Sequence, residues 1–277
     1  MRERTSMKTQ TMNKNFTLRG LVAILAINAL GTAVAEEKER DPREFNYLQL
    51  SAGVGMSSSA DVNVGLGSGV QLPGSASYSK ATLGSIILGR QFLRDENEEA
   101  KQKRLQAGAP VDPKQDDRQP MRLELELFNA LVTRDTITVA TATLHPHDSV
   151  KPRAVLVNLA IPIGQSDERY TSEDPKRQTE PLWRIWAGAG LGYADVRYPS
   201  ASAISGCNCL REASGNGLAF QLKLQAERQV GENTFLFAQV GRVWLPAVTT
   251  TQGAQQTEYG RWGINNLMVG VRLAISN

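Results

Sequence analysis

A two-residue period, sustained over long stretches, most constrains what this chain can fold into. From Gly217 to Val230, Leu218, Phe220, Leu222, Leu224 and Ala226 alternate with Ala219, Gln221, Lys223, Gln225 and Glu227. Gly263–Ile275 repeats the design, with Leu267, Val269, Val271, Leu273 and Ile275 opposite Met268, Gly270, Arg272 and Ala274. This period puts successive side chains on opposite faces of a β-strand. A soluble sandwich buries the apolar face, whereas a membrane barrel turns it to lipid and keeps a polar interior. Length favours the barrel, because several alternating segments run to twelve or more residues, and a tilted membrane-crossing strand takes roughly 9–11.

The second constraint lies near the N-terminus. Leu21–Leu30 reads LVAILAINAL, follows Lys14 and Arg19, and leads to Ala33-Val34-Ala35 before Glu36 and Glu37. Basic region, apolar stretch and small-residue site make 1–35 a secretory signal peptide, with cleavage expected after Ala35. Met7 and Met12 offer later starts, and Met12 leaves a signal of ordinary length. The segment holds Arg2, Arg4, Lys8, Lys14 and Arg19 against Glu3, out of 31 basic and 28 acidic residues in the chain, so 26 and 27 remain after cleavage. The positive excess belongs to the leader, which removes the argument for a nucleic-acid partner. The remainder, 36–277, has the length of one domain and contains no apolar run of about 18 residues, so it can cross a membrane only as a closed sheet.

Taken in order, the alternation predicts strands at 46–57, 78–92, 120–132, 152–163, 182–198, 217–230, 234–246 and 263–275. In the first, Leu48, Leu50, Ala52, Val54 and Met56 are expected outside, with Gln49, Ser51, Gly53 and Gly55 inside. In the third, Met121, Leu123, Leu125, Leu127 and Leu131 oppose Arg122, Glu124 and Glu126. Carboxylates in a narrow interior require partners. Lys223, Arg272 and Arg184 can supply the opposite charge from other strands. The expected interior ion-pair network comprises Arg122, Glu124, Glu126, Lys223, Glu227 and Arg272. Gly188, Gly190 and Gly192 share one face of the fifth strand, where glycine makes room for a curved wall or bulky interior groups. Phe235, Phe237, Trp244 and Tyr193 are candidates for aromatic girdles. Residues 93–119 read as a charged, solvent-exposed insertion. The stretches 58–77, 133–151, 199–216 and 247–262 read as loops, all at one end by parity, and Gly231-Glu232-Asn233 as a tight turn at the other.

This order of segments resembles the eight-stranded outer-membrane β-barrel proteins of the surface-antigen and opacity-protein class, which are related in architecture to the transmembrane domain of outer-membrane protein A. The motifs carrying the resemblance are Leu88-Gly89-Arg90-Gln91-Phe92, Arg122-Leu123-Glu124-Leu125-Glu126, Trp186-Ala187-Gly188-Ala189-Gly190-Leu191-Gly192-Tyr193-Ala194 and Leu267-Met268-Val269-Gly270-Val271-Arg272-Leu273. It implies an all-β, eight-stranded antiparallel transmembrane β-barrel in the bacterial outer membrane. Its expected partners are membrane lipid, the barrel-assembly machinery and a host or surface ligand at the four loops. It implies a structural, antigenic or adhesive role without shared catalytic residues or cofactors. The chain departs from the pattern in its long connections at 93–119 and 164–181 and in ending Ile275-Ser276-Asn277 instead of on an aromatic residue.

Few residues offer chemistry. His145 and His147 lie with Asp148 in an expected loop, where exposed polar residues are the plainer reading than a metal site. No nucleophile–base arrangement or phosphate-cradling loop stands out, so no enzyme activity is expected. Cys207 and Cys209 form a candidate disulfide, strained by its single intervening residue, with free thiols as the alternative. Three other functions compete with the structural barrel: a soluble periplasmic lipocalin-like binding protein, a small porin and a lipid-modifying barrel enzyme. The lipocalin-like reading requires a buried Leu218–Leu224 face and exposed Lys223 and Glu227.

Overall fold

A computed structural model describes residues 44–66, 69–94, 119–146, 148–167, 181–200, 210, 212–231, 233–252 and 255–275. All of them belong to the compact unit Pro42–Asn277. The expected signal segment, nearly all of the 93–119 insertion and both cysteines lie outside these residues.

The described fold is a single antiparallel sheet of twelve strands. They are β1 (Phe45–Ser57), β2 (Ala60–Leu66), β3 (Val70–Arg94), β4 (Gln119–Val139), β5 (Ala142–Leu144), β6 (Asp148–Asp167), β7 (Pro181–Tyr198), β8 (Ala213–Gly231), β9 (Thr234–Leu245), β10 (Val248–Gln252), β11 (Gln255–Tyr259) and β12 (Trp262–Ile275). The expected eight-stranded barrel is thereby corrected to a twelve-stranded antiparallel sheet. The additions, β2, β5, β10 and β11, occupy stretches that read as loops, and β3, β4 and β8 also extend into them. Gly, Ser, Thr and Pro dominate these stretches and suggest turns, yet Ala60, Val62 and Val64 alternate with Asp61 and Asn63, and Thr257 and Tyr259 with Gln256 and Glu258. Ala60, Val62, Val64 and Tyr259 bury in a common core, and this burial outweighs the weak strand preference of the intervening polar residues.

Followed from β1 through β3, β4, β6, β7, β8, β9 and β12, the pairings return to β1. This circuit gives the sheet an inner and an outer face. The order ends in β10 and β5, which extend it at one end through the β10–β11–β2–β3 pairings and the β4–β5 hairpin. We call this the extension end. Phe45, Arg94, Gln119, Asp167, Pro181, Ile275 and the β8–β9 turn mark the opposite, terminal end.

Side chains alternate between the faces along every long strand. In β8, Leu222 is 54% exposed and its neighbour Lys223 only 5%. Leu50, Leu88, Leu123, Leu127, Val157, Leu191, Val240, Leu267 and Val269 are likewise exposed, whereas Arg122, Glu124, Glu126, Glu227 and Arg272 are buried. Strand β9 places Leu236 and Val240 outside and Phe237, Gln239, Val243 and Leu245 inside. Phe235 and Phe237 therefore leave the expected outer girdle: Phe237 is buried, and Phe235 stacks on Phe45 at 6.2 Å and lies under the Arg272 guanidinium at 4.1 Å.

Candidate functional site

The inner face has two layers. In the terminal half, the residues expected to form an ion-pair network are brought together from β4, β8 and β12. Lys223 Nζ donates to Glu124 Oε2 at 2.6 Å and to Glu126 Oε2 at 3.1 Å. Arg122 meets Glu227 with two parallel bonds, Nη2 to Oε1 at 2.6 Å and Nη1 to Oε2 at 2.9 Å. Arg272 approaches the same carboxylate from the other side: Nη2 donates to Oε1 at 3.1 Å, while Nη1 lies 2.7 Å from Oε2 but off the hydrogen-bonding direction. Such forked guanidinium–carboxylate contacts fix orientation as well as charge.

Neutral groups complete the layer. Tyr47 Oη donates to Glu124 Oε1 at 2.8 Å, Ser85 Oγ to Glu126 Oε1 at 2.8 Å, Asn158 Nδ2 to Glu126 Oε2 at 2.7 Å, and Arg122 Nε to Gln91 Oε1 at 3.1 Å. The Trp186 ring carries the Arg122 guanidinium 3.5 Å from its centroid. Of these partners only Asn158 is legible beforehand, as the polar residue opposite an apolar face in its strand. Tyr47 and Ser85 show no sequence signal beyond their inward phase, and Gln91 and Trp186 stand only within motifs that carry the resemblance. Two inward glycines admit the network. A Cβ on Gly190 would sit 1.8 Å from Asn158 Oδ1, and one on Gly89 would sit 2.3 Å from the Tyr47 ring.

Arg184 faces Glu227 across the β7–β8 pairing without bonding to it, and its Nε has no hydrogen-bond partner. His145 is exposed and has a partner; His147 and the cysteines lie outside the described residues. Among the described residues no three His, Cys, Asp or Glu side chains cluster as a metal site would require.

The extension half is apolar inside. Leu83, Phe128, Ala130, Val132, Ile137, Leu156, Val243 and Met268 form one buried cluster with Val62 and Val248 from the added strands. Its rings are ordered: Tyr78 stacks on Trp262 at 4.6 Å, Tyr198 on Tyr259 at 4.0 Å, and Trp262 Nε1 donates to the Tyr198 hydroxyl at 2.8 Å. Arg134, buried here, is held by a two-pronged contact to Asp148, with Nε to Oδ1 at 2.8 Å, and donates from Nη2 to the Pro199 carbonyl at 2.9 Å. Both residues of this pair fall in the stretch expected to be a loop, which hid it. Burial pushes the Tyr259 hydroxyl above its ordinary pKa against the pull of nearby Arg134.

The lipocalin-like alternative is not supported, because Leu218, Leu222 and Leu224 are exposed while Lys223 and Glu227 are buried.

No family model matches the sequence, nor does any curated protein. Among solved structures, Neisserial surface protein A aligns at 12% identity over 83% of this chain and 97% of that one, with a TM-score of 0.40. The outer membrane protein OprG from Pseudomonas aeruginosa aligns at 12% over 84% and 96%, with a TM-score of 0.43. The outer membrane protease OmpT from Escherichia coli aligns at 6% over 86% and 99%, with a TM-score of 0.42. Such weak likenesses carry no functional conclusion for this chain, whose own surface must supply it.

Proposed function

We propose that this chain crosses a bacterial outer membrane with its strands, has a closed rather than conducting interior, and presents its extension end for recognition outside the bilayer. The observation behind this reading is that the same strands exchange the polarity of their two faces along their length. Lower in β4, Leu123 and Leu127 face out and Glu124 and Glu126 face in; higher up, Val132 and Ile137 face in and Asp135 lies on the outer side. In β7, Trp183 and Ile185 are exposed near the terminal end, whereas towards the extension end Val196 and Tyr198 are buried and Arg197 is exposed. A wholly aqueous protein has no reason to invert, and an apolar belt of this extent in water is a liability. Lipid around the terminal half and water around the extension half account for both patterns.

The role is structural or adhesive rather than catalytic. The terminal half is filled by paired charges and the extension half by packed rings and aliphatic side chains, a combination that blocks ion flow. Membrane fractionation followed by a carbonate wash should leave the chain in the pellet, and recovery wholly in the soluble fraction would reject the membrane reading. In planar bilayers the refolded chain should give little or no conductance. Large, stable openings would replace the closed interior with a pore.

A further inference from the structure

The paired network is not electrically even along its length. Nearer the centre, Lys223 faces two carboxylates, Glu124 and Glu126. Nearer the terminal end, the guanidiniums of Arg122 and Arg272 hold the single carboxylate of Glu227 and Arg184 faces it across the β7–β8 pairing, a formal excess of two positive charges. Glu227 is already occupied by Arg122 and Arg272, so it offers Arg184 little. Four nitrogen donors here have no hydrogen-bond partner: Arg184 Nε, Arg272 Nε and Nη1, and Trp186 Nε1. Trp186 is 1% exposed and Arg272 0%. Arg122 links the group: its guanidinium lies 3.5 Å from the Trp186 ring and shares Glu227 with Arg272, and the Arg184 guanidinium lies 6.0 Å from the same ring.

A buried N–H donor without an acceptor is unfavourable, and surplus positive charge in a weakly screened interior selects an anion over water as the missing partner. We propose that the terminal end of the interior is a binding site for one phosphate-type oxyanion, recognised by Arg184, Trp186 and Arg272. The half-buried Arg184 stands nearest solvent and admits the ligand, while Trp186 and Arg272 form its inner wall. The inference does not depend on a surrounding membrane, because these groups face inward whatever medium covers the outer face.

The test is calorimetric titration of the refolded full chain, in a maltoside detergent free of phosphate, with inorganic phosphate replacing chloride at constant ionic strength. Saturable binding of one phosphate per chain is expected. Arg184→Gln should weaken it about tenfold and Trp186→Phe about threefold. Arg184 has no hydrogen-bonded carboxylate to lose, so circular dichroism and the urea midpoint of Arg184→Gln should match the parent. Absence of saturable binding, an equal response to chloride, or undiminished affinity in Arg184→Gln would each overturn the proposal. Adding phosphatidylglycerol to the same micelles separates two sources of the ligand: displacement of inorganic phosphate assigns the site to a lipid headgroup, and undisturbed binding assigns it to the free anion.

Discussion

The two halves of the interior solve the same packing problem with opposite chemistry. In the terminal half, Glu227 alone takes up two buried guanidiniums, and Lys223 bridges two carboxylates. In the extension half, Phe128, Leu156 and Val243 pack with stacked aromatic pairs, and the buried charge of Arg134 is neutralised locally by Asp148. The difference follows from what lies outside each half. Where the outer face is apolar, inward positions are free to be polar and their groups must satisfy one another. Where the outer face is polar, the inner face supplies the hydrophobic core. A network held by mutual pairing is brittle, because removing one member strands the rest. A packed apolar layer yields in smaller steps.

The largest effect is therefore expected at Glu227. Glu227→Gln keeps the shape but leaves Arg122 and Arg272 buried and unneutralised, and should cost about 3–5 kcal/mol. Urea unfolding in detergent micelles measures it. A loss below about 1 kcal/mol would mean that water reaches the terminal half and that the contrast between the layers is smaller than their composition suggests.

Lys223 sharpens the comparison within the polar half. Lys223→Gln removes the ammonium between Glu124 and Glu126, but Tyr47 still donates to Glu124, and Ser85 and Asn158 still donate to Glu126. The new amide can donate as well. The expected loss is about 1–3 kcal/mol, smaller than at Glu227 because neutral donors share the load. If Lys223→Gln proves as damaging as Glu227→Gln in the same urea series, those neutral donors contribute little and the two carboxylates act as one site.

The faces of the strands were legible in the sequence, and so were the members of the charged layer, because inward phase alone separates Glu124 and Lys223 from Leu125 and Leu222. Their partners were legible only in part, Lys223 standing as a candidate for Glu124 and Glu126. The two-residue period says which side of the wall a residue occupies, whereas the meeting of Arg122 on β4 with Glu227 on β8 depends on which walls face each other across the interior. Composition masks alternation in Pro73, Gly74 and Ser75 of β3 and in the threonines of β10, which read as loop although Ala76 and Val248 beside them are buried. The same masking concealed Arg134 and Asp148. Phe235 and Phe237 were misplaced for a different reason, because aromatic residues suit both a membrane interface and a cation-lined interior. Arg272 over the Phe235 ring shows which applies here.

The smallest expected effect lies in the apolar half and tests whether a neutral hydrogen bond within its ring cluster behaves as its surroundings predict. Trp262 is 2% exposed, stacks on Tyr78 and donates from Nε1 to the Tyr198 hydroxyl. Trp262→Phe keeps an aromatic face for Tyr78 and removes the donor. No charge is stranded, and the Tyr198 hydroxyl can rotate toward another acceptor, so the loss should be that of one neutral hydrogen bond, roughly 0.5–1.5 kcal/mol. Leu in place of Trp262 also removes the stacking surface and should cost more than Phe. In one urea series, the order Glu227→Gln, Lys223→Gln, Trp262→Phe would carry the brittle-against-yielding contrast through to measured stability. A Trp262→Phe loss matching that of Glu227→Gln would instead show that the ring cluster is a cooperative unit, since a single neutral donor cannot carry so much alone.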